Sequence, residues 1–355
     1  MNSIADIAFP VQLVAQSRLP QIDFANLTFG KEHTDHIFLA EYKDGQWQNA
    51  RIEPMHMLSL SPFALCLHYG QTVFEGMKAF RMQDGKVNVF RPTKHLKRFN
   101  ASLERLCMAQ VPEELFVPAV AQLAALEQAW IPNSAEASLY MRPFMIATEA
   151  RIGVKVSEEY LFMVVASPAN KYYAKPLRLK VETEFVRAAN GGTGFAKCGG
   201  NYAAAFFPTE QAKAQGFDQV IWTDARTNSF LEESGTMNIM LIVDGEIHTP
   251  ALSDSILDGI TRDSFLAIAR QMGMTVHERR ISIAELEGYF EAGKRVEAFG
   301  TGTAAVVAPI ELIDIGGKEY RPYLAEDATM YILKQALGEI RTGLRDDTFG
   351  WNMVL

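Results

Sequence analysis

A single lysine stands inside a glycine-rich segment near the middle of the chain. The segment Asn190–Tyr202 reads NGGTGFAKCGGNY, so Lys197 lies between two pairs of glycines. Glycines let a backbone approach a ligand closely, and an amine held there can clamp a phosphate or act as a nucleophile. A P-loop is excluded, because it needs glycine before the lysine and a hydroxyl after it, where this chain has Ala196 and Cys198. A generic glycine-rich loop with a solvated lysine remains the alternative.

Two acidic residues precede an apolar run that reads as a buried strand. They are Glu232 and Glu233 in LEESGTMN, which is followed by IMLIV. One carboxylate could face a ligand cation, with Thr236 facing a ligand oxygen. Acidic residues just before a strand are also typical of a solvated turn, and that interpretation stays open at this point.

A third segment, Asp254–Arg262, reads DSILDGITR and opens a helix that runs to about Gly273. The first amides of a helix have no partner within the helix and attract anions, so Ile260 and Thr261 could bind a phosphate. Plain capping of this helix by Asp258 is the alternative.

A fourth segment, Phe299–Ala305, reads FGTGTAA and matches the dinucleotide pattern G-x-G-x-x-A. That pattern must be followed by a helix and, about 20 residues on, by an acidic residue. Here AVVAPIELIDI follows and reads as a strand. The segment therefore favours a loop of glycines and threonines that cradles phosphate, and a nicotinamide-dependent dehydrogenase is the weaker interpretation.

Together these segments offer an amine, a carboxylate and two anion-binding loops. Pyridoxal 5'-phosphate needs these partners: an amine for its aldehyde, amides and hydroxyls for its phosphate, and a carboxylate that keeps its ring nitrogen protonated.

The elements that must position these residues alternate between hairpins and helices. Asp-Gly turns between apolar runs predict hairpins at 44–45, 84–85 and 244–245, and Gly316-Gly317 predicts a fourth. Hairpins interleaved with helices favour a mixed α/β (α+β) class over a purely parallel sheet. Helical periodicity covers residues 96–106, 117–130, 202–215, 261–272, 283–290 and 325–344.

The length and one polar segment suggest two domains. A chain of 355 residues is long enough for about two domains, and SPANKYYAKP carries a proline near each end. After it, apolar residues alternate from Leu177 onward, as in a half-buried strand. We therefore expect a first domain at 1–167, a linker at 168–176 and a second, cofactor-binding domain at 177–355.

Composition excludes several other classes. A net charge of −8 without a long basic run argues against nucleic acid or an anionic membrane as the main partner. Three cysteines without C-x-x-C spacing predict reduced thiols in a cytoplasmic protein. His33 and His36 have no supporting ligand pattern, so we expect a solvated loop there and no metal site.

Seven motifs occur along the chain in the order HYGQTVFEGMKAF, VFRPTKHLKRF, LYMRPF, AKCGGNY, EESGTMNI, LDGITRDSF and FGTGTAAVVAP. In this order they resemble the branched-chain amino acid aminotransferases, which belong to the fold-type IV enzymes that use pyridoxal phosphate. The resemblance covers about residues 67–309, and it implies a small N-terminal α/β sandwich with a larger C-terminal pseudo-barrel domain.

The resemblance also implies roles for individual residues. Lys197 would bind the cofactor covalently and then move the proton at the substrate's Cα. The other cofactor contacts would be Tyr202 at the phenolic oxygen, Glu233 at the ring nitrogen, and Arg98, Ile260, Thr261 and Thr303 at the phosphate. The substrate contacts would be Phe74, Tyr140, Thr236 and Ala304, with Tyr69 from the partner subunit and Arg142 at glutamate's distal carboxylate.

These roles imply reversible amino transfer between leucine, isoleucine or valine and 2-oxoglutarate by a homodimer. A D-amino acid aminotransferase or an aminodeoxychorismate lyase of the same fold is the nearest alternative. A non-catalytic module that binds a phosphorylated ligand is the alternative from another class.

Overall fold

The computed structural model describes residues 8–134, 136–170 and 175–355. The chain divides into two compact units. We call the first the N-terminal unit; it comprises Met1–Tyr172, Ala196–Gly199 and Ile340–Leu355. The second, the barrel unit, comprises Tyr173–Phe195 and Gly200–Glu339. The expected second domain includes Ala196–Gly199 and Ile340–Leu355, so the expected and the observed divisions differ there.

Eight α-helices and seventeen strands are present in the described part of the chain. The helices are α1 Cys66–Tyr69, α2 Pro92–Arg105, α3 Glu113–Leu126, α4 Gly200–Ala203, α5 Phe206–Ala214, α6 Ile260–Gln271, α7 Ile283–Glu291 and α8 Thr329–Thr342. The strands are β1 His36–Lys43, β2 Gln46–Pro54, β3 Thr72–Phe74, β4 Met77–Arg81, β5 Val87–Phe90, β6 Ser138–Ala147, β7 Tyr160–Ala169, β8 Leu177–Val181, β9 Gln219–Thr223, β10 Leu231–Ser234, β11 Met237–Val243, β12 Glu246–Thr249, β13 Val276–Glu278, β14 Val296–Thr301, β15 Ala308–Ile315, β16 Lys318–Tyr320 and β17 Asn352–Val354.

The N-terminal unit is a sheet covered by helices. Its eight strands run in the order β17-β5-β4-β6-β7-β1-β2, with β3 paired to β6. A buried core packs α2 and α3 against this sheet. Four aromatic rings pack together in that core: the ring centroid of Phe162 lies 5.7–5.9 Å from those of Phe38, Phe99 and Phe116. The apolar side chains of α2 are buried in this core, which fixes the position of the helix that carries Arg98.

The barrel unit closes a sheet on itself. Six strands pair around a ring in the order β10-β9-β8-β15-β14-β11, and β11 pairs again with β10. The strand that begins at Leu177 is parallel to both of its neighbours, whereas the other pairs in the ring are antiparallel. Closure leaves the ring without an open edge. The mixed α/β class and the predicted pseudo-barrel are thus confirmed.

All four predicted hairpin turns are present. The turns at 44–45, 84–85, 244–245 and 316–317 join β1 to β2, β4 to β5, β11 to β12 and β15 to β16. Asp44 and Gly45 both have positive φ, at 53° and 77°, the conformation that favours Asp-Gly in tight hairpins.

One predicted helix, at 202–215, is divided into α4 and α5. The division agrees with Pro208, since proline lacks an N–H and is best tolerated in the first turn of a helix. Starting α5 at Phe206 puts Pro208 in that first turn.

The expected solvated loop at His33 and His36 is wrong for His36. This residue begins β1, is 5% exposed and donates from Nδ1 to the carboxylate of Glu127, which is 2% exposed. Its Nε2 accepts from the backbone amide of Val14 at 3.1 Å. Burial raises the pKa of the Glu127 carboxyl.

The three cysteines are free thiols, with Cys66 half-buried, Cys107 exposed and Cys198 buried. Among the described residues, no helix combines the length and the apolar character needed to cross a bilayer.

Candidate active site

Lys197 is held by the N-terminal unit through its backbone. Residues 196–199 run beside β3, where Val73 and Cys198 form an isolated antiparallel bridge. The Lys197 amide donates to Ser102 Oγ at 2.9 Å, and its carbonyl accepts from the Phe74 amide at 3.0 Å. The lysine side chain is half-buried, so the fully solvated alternative is not supported.

An aromatic and cationic cluster surrounds the amine of Lys197. Its Nζ lies 4.8 Å from the centroid of the Phe74 ring, and the guanidinium of Arg142 lies over that ring at 4.8 Å. Arg142 also donates from Nη2 to the hydroxyl of Tyr140 at 3.0 Å. Arg142 and Tyr140 share one face of β6 because side chains two residues apart in a strand point the same way. Four of the predicted site residues are therefore brought together within this unit.

Arg98 is buried and paired, contrary to the alternative of a surface position on an amphipathic helix. It donates from Nε at 2.7 Å and from Nη2 at 2.8 Å to the carboxylate of Glu75. His95, one helical turn earlier, contacts the same carboxylate through Nδ1 at 2.7 Å. Burial would raise the pKa of the Glu75 carboxyl, but the charge of Arg98 overcomes it and holds that pKa far below its usual value.

Sequence reasoning missed Glu75 and His95. The available signal was a polar pair on an apolar helix face: His95 and Arg98 are three residues apart and share the stripe that contains Phe99. Polar residues in such a stripe need a partner when they are buried, and Glu75 supplies it.

Tyr69 is an exposed residue of the N-terminal unit. It ends α1, is 40% exposed, and donates from its hydroxyl to the carbonyl of Ile152. Phe63, Leu67 and Val154 near it are also exposed.

The candidate carboxylate of the barrel unit is Glu233. It lies in β10 and is 3% exposed, so the solvated-turn alternative is wrong. Its Oε1 accepts from the Leu257 amide at 2.8 Å and from Asn238 Nδ2 at 3.2 Å, and its Oε2 lies 3.1 Å from Nε of Arg187. Glu232 is also buried and accepts from Ser255 Oγ, and burial raises its pKa.

The helix expected to bind an anion, α6, begins at Ile260 and Thr261, which are 2% and 3% exposed. The N-cap residue is Gly259 rather than Asp258, and glycine has no side chain that could accept a capping hydrogen bond. The first main-chain amides of α6 are thus not covered by a side chain of the N-cap residue, which favours an anion site.

The glycine-threonine segment is a turn between β14 and β15, two antiparallel strands. The Val306 amide donates to the Gly302 carbonyl at 2.8 Å, and Thr301 Oγ1 donates to the Val306 carbonyl at 2.8 Å. Thr303 and Ala304 are half-buried in this turn. Because a strand rather than a helix follows, the dinucleotide interpretation is excluded.

Two further predicted residues belong to the barrel unit. Tyr202 is half-buried in α4. Thr236 is exposed in the two-residue turn between β10 and β11, next to Gly235, whose φ is 56°.

A group with metal-ligating atoms was not anticipated. Glu246, His248 and His277 each place one such atom within 4.8 Å of the others. The guanidinium of Arg279 lies 3.3 Å from Nδ1 of His248, which places a positive charge beside any cation bound there.

The chain resembles aminotransferases over most of its length. The family model described as "Amino-transferase class IV" matches residues 72–313. "Branched-chain-amino-acid transaminase 1" of Bacillus subtilis is 48% identical over 301 residues, covering 83% of this chain and 85% of that protein.

Solved structures give the same likeness. The branched-chain aminotransferase of Thermoproteus uzoniensis, solved with norvaline, aligns with a TM-score of 0.72 and 25% identity, covering 89% of this chain and 99% of that one. A second branched-chain amino acid aminotransferase, designated T.th., was solved with N-(5'-phosphopyridoxyl)-L-glutamate and with 4-methylvaleric acid. Both of its structures align with a TM-score of 0.70 and 27% identity, covering 88% of this chain and 97% of that one.

Proposed function

The chain belongs to the class IV aminotransferases, and from that membership we propose that it is a pyridoxal phosphate-dependent branched-chain amino acid aminotransferase. It exchanges an amino group between leucine, isoleucine or valine and 2-oxoglutarate, in both directions. The names of its relatives and the ligands of the T.th. enzyme support this reaction.

The described residues fit the cofactor. Pyridoxal phosphate, when bound, supplies an aldehyde that captures amines and a cationic ring that accepts electron density from the substrate's Cα. Lys197 supplies the amine, and Glu233 supplies a buried carboxylate that neighbouring donors hold in place. The start of α6, where the N-cap residue is a glycine, supplies amides for the phosphate.

The proposed cofactor residues have separate tasks. Lys197 would hold the cofactor through its amine and, once that amine is free, would move the proton at the substrate's Cα. Glu233 stabilises the positive charge on the ring nitrogen, and Tyr202 donates to the phenolic oxygen. The phosphate is held by the residues Arg98, Ile260, Thr261 and Thr303.

The observation that carries this proposal is the cluster around Lys197. The ring of Phe74 lies 4.8 Å from Nζ and 4.8 Å from the guanidinium of Arg142. Aromatic surface from Phe74 and Tyr140 suits a branched aliphatic side chain, while Arg142 can pair with glutamate's distal carboxylate. Thr236 and Ala304 are the proposed contacts to the rest of the substrate. One set of residues then serves both substrate classes.

The test is the visible spectrum of the purified protein. We expect a yellow band that disappears on borohydride reduction and leaves the cofactor attached to Lys197. Lys197→Ala should lose nearly all turnover of leucine with 2-oxoglutarate, whereas Lys213→Ala, an exposed control on α5, should keep it. A protein that shows no yellow band after incubation with pyridoxal phosphate and removal of the unbound cofactor would disprove the proposal.

The same assays separate the alternatives. Turnover of D-amino acids, or release of pyruvate from aminodeoxychorismate, would assign the chain to another activity of this fold. A binding module would keep its affinity for the phosphorylated ligand in Lys197→Ala and show no turnover in the unmodified chain.

We also propose that the protein works as a homodimer in the cytoplasm, with Tyr69 completing the partner's substrate pocket. Exposed apolar side chains occur in the two segments joined by the hydrogen bond from Tyr69 to Ile152, and they favour a protein interface there. They are Phe63, Leu67, Ile152 and Val154.

The junction between domains was expected at 168–176, but residues 168 and 169 are the last of β7 and pair with β6. We therefore propose residues 170–176 as the junction, of which 171–174 lie outside the described residues. Limited proteolysis should cut first within this segment if it links two independently folded parts.

A further inference from the structure

The side chain of Asn238 bridges the carboxylate of Glu233 to the segment that precedes α6. Asn238 faces Glu233 across the β10–β11 hairpin and is 5% exposed. Its Nδ2 donates to Glu233 Oε1 at 3.2 Å and to the Leu257 carbonyl at 2.9 Å. The Leu257 amide donates to the same Oε1 at 2.8 Å. One amide group therefore closes a small ring of hydrogen bonds with the acid and the backbone.

The other end of the same amide lies against Gly259, the N-cap of α6. A Cβ added to Gly259 would lie 1.8 Å from Asn238 Oδ1 and 3.0 Å from its Cγ. The φ of Gly259 is −69°, a value that any residue adopts, so its backbone does not require glycine. The close approach of Asn238 is what excludes a side chain there.

The donor end of Asn238 thus contacts the acid assigned to the ring nitrogen, and its acceptor end lies against the residue that precedes the amides assigned to the phosphate. Gly259 leads directly to Ile260 and Thr261, whose amides are the proposed phosphate donors. A planar amide with donor and acceptor at opposite ends sets the spacing between the two groups it contacts. Arg187 pairs with Oε2 of Glu233, whereas Asn238 and Leu257 donate the hydrogen bonds that hold Oε1 in position.

We propose that Asn238 is a positioning residue that couples the acid for the ring nitrogen to the amides for the phosphate. The inference rests on the proposed function, since that function assigns both groups to one cofactor. Asn238 itself does not contact the reacting atoms in this account; it sets the distance between the groups that do.

The first test measures inorganic phosphate bound to the apoenzyme, which reports on the phosphate-binding residues, including the start of α6, without the contribution of the cofactor's ring nitrogen. Asn238→Ala should weaken both phosphate and pyridoxal phosphate roughly tenfold, because the segment loses its side-chain hydrogen bond. Glu233→Gln should weaken pyridoxal phosphate but leave phosphate affinity unchanged. Gln335→Ala, an exposed control on α8, should change neither. If the alanine variant does not fold, Asn238→Leu, which is close in volume, should show the same two losses.

The second test uses the contact with Gly259. Gly259→Ala alone should weaken phosphate binding strongly, since the new methyl meets Asn238. In the double variant Asn238→Ala/Gly259→Ala the new methyl no longer meets the Asn238 amide. Its phosphate affinity should therefore equal that of Asn238→Ala alone and should not fall by the product of the two single-variant losses.

The outcomes separate this inference from the proposed function. Additive losses in the double variant, or unchanged phosphate affinity in Asn238→Ala, would overturn the role of Asn238 even if the enzyme transfers amino groups normally. A chain that never takes up pyridoxal phosphate on Lys197 would overturn the proposed function, and this inference with it.

Discussion

Arg98 donates two hydrogen bonds to the carboxylate of Glu75, from Nε at 2.7 Å and Nη2 at 2.8 Å, and Glu75 has no exposed surface. A guanidinium forked onto a carboxylate is fixed in both direction and plane. Arg98 is a proposed phosphate ligand, so Glu75 orients a cofactor-binding side chain. This pairing also makes the stability of the protein depend on pH.

We expect Glu75→Gln to flatten the fall of stability in acid. Arg98 lowers the pKa of Glu75 in the folded protein below its ordinary value of 4.5, against the effect of burial. The stability that this pair contributes is therefore full above pH 4.5 and is lost as the pH falls toward the folded-state pKa. Melting temperatures of the apoenzyme between pH 3 and 7 test this difference.

At pH 7 the same variant should be less stable by about 3 kcal/mol, because it leaves a buried guanidinium without its anion. If the melting temperature falls equally steeply with decreasing pH in Glu75→Gln and in the unmodified protein, another carboxyl controls the acid transition. His95→Gln serves as a companion variant. Burial lowers the pKa of His95 in the folded protein, so the stability that depends on neutral His95 is present above pH 6.5. That stability is lost as the pH falls from about 6.5 toward the folded-state pKa.

Arg142→Gln should separate the two substrate classes. The guanidinium lies over the Phe74 ring and bonds to Tyr140, where glutamate's distal carboxylate is proposed to bind. Losing a charged hydrogen bond should raise KM for glutamate and 2-oxoglutarate roughly 10–100-fold. The KM for leucine should change far less. Equal effects on both substrates would place the distal carboxylate elsewhere.

Gly76→Ala should displace Tyr140. A Cβ at Gly76 would lie 2.1 Å from the Tyr140 hydroxyl oxygen and 2.9 Å from Cζ. We expect a loss of about 1–3 kcal/mol in stability from this overpacking, together with lower kcat/KM for leucine.

Adding Tyr140→Phe should recover part of that lost stability, because it removes the closest atom. The matched control is Gly288→Ala in α7, where a new Cβ would meet nothing within 4 Å and melting should be unchanged or higher. Equal damage from both glycine variants would contradict the argument from Tyr140.

Local features of the fold could be predicted because they depend on neighbouring residues. Asp44-Gly45 and Gly316-Gly317 specify tight turns through their positive φ angles, and the alternation from Leu177 specifies a half-buried strand. The site residues around Lys197 were named through the resemblance, whose motifs are ordered and specific.

Long-range partners could not be predicted in the same way. His36 is buried against Glu127, 91 residues away, and Glu75 pairs with Arg98, 23 residues away. Nothing in the local pattern at either position specifies its partner. The three-residue strand at Asn352–Val354 pairs with β5, and a run that short carries no periodicity that distinguishes it from a loop.

A mixing experiment tests whether Tyr69 serves the partner's active site. Tyr69→Ala should be weakly active and Lys197→Ala inactive when each is assayed alone. If Tyr69 of one copy completes the pocket of the other, a mixed dimer contains one site with both native residues. When the two variants are mixed in equal amounts and their subunits exchange at random, half of the dimers contain one subunit of each variant. Each mixed dimer has one working site out of two, so about a quarter of the native activity should be restored. Mixing two batches of Lys197→Ala controls for handling. If Tyr69 serves its own subunit, no site in the mixed dimer has both residues, and activity stays at the average of the two variants.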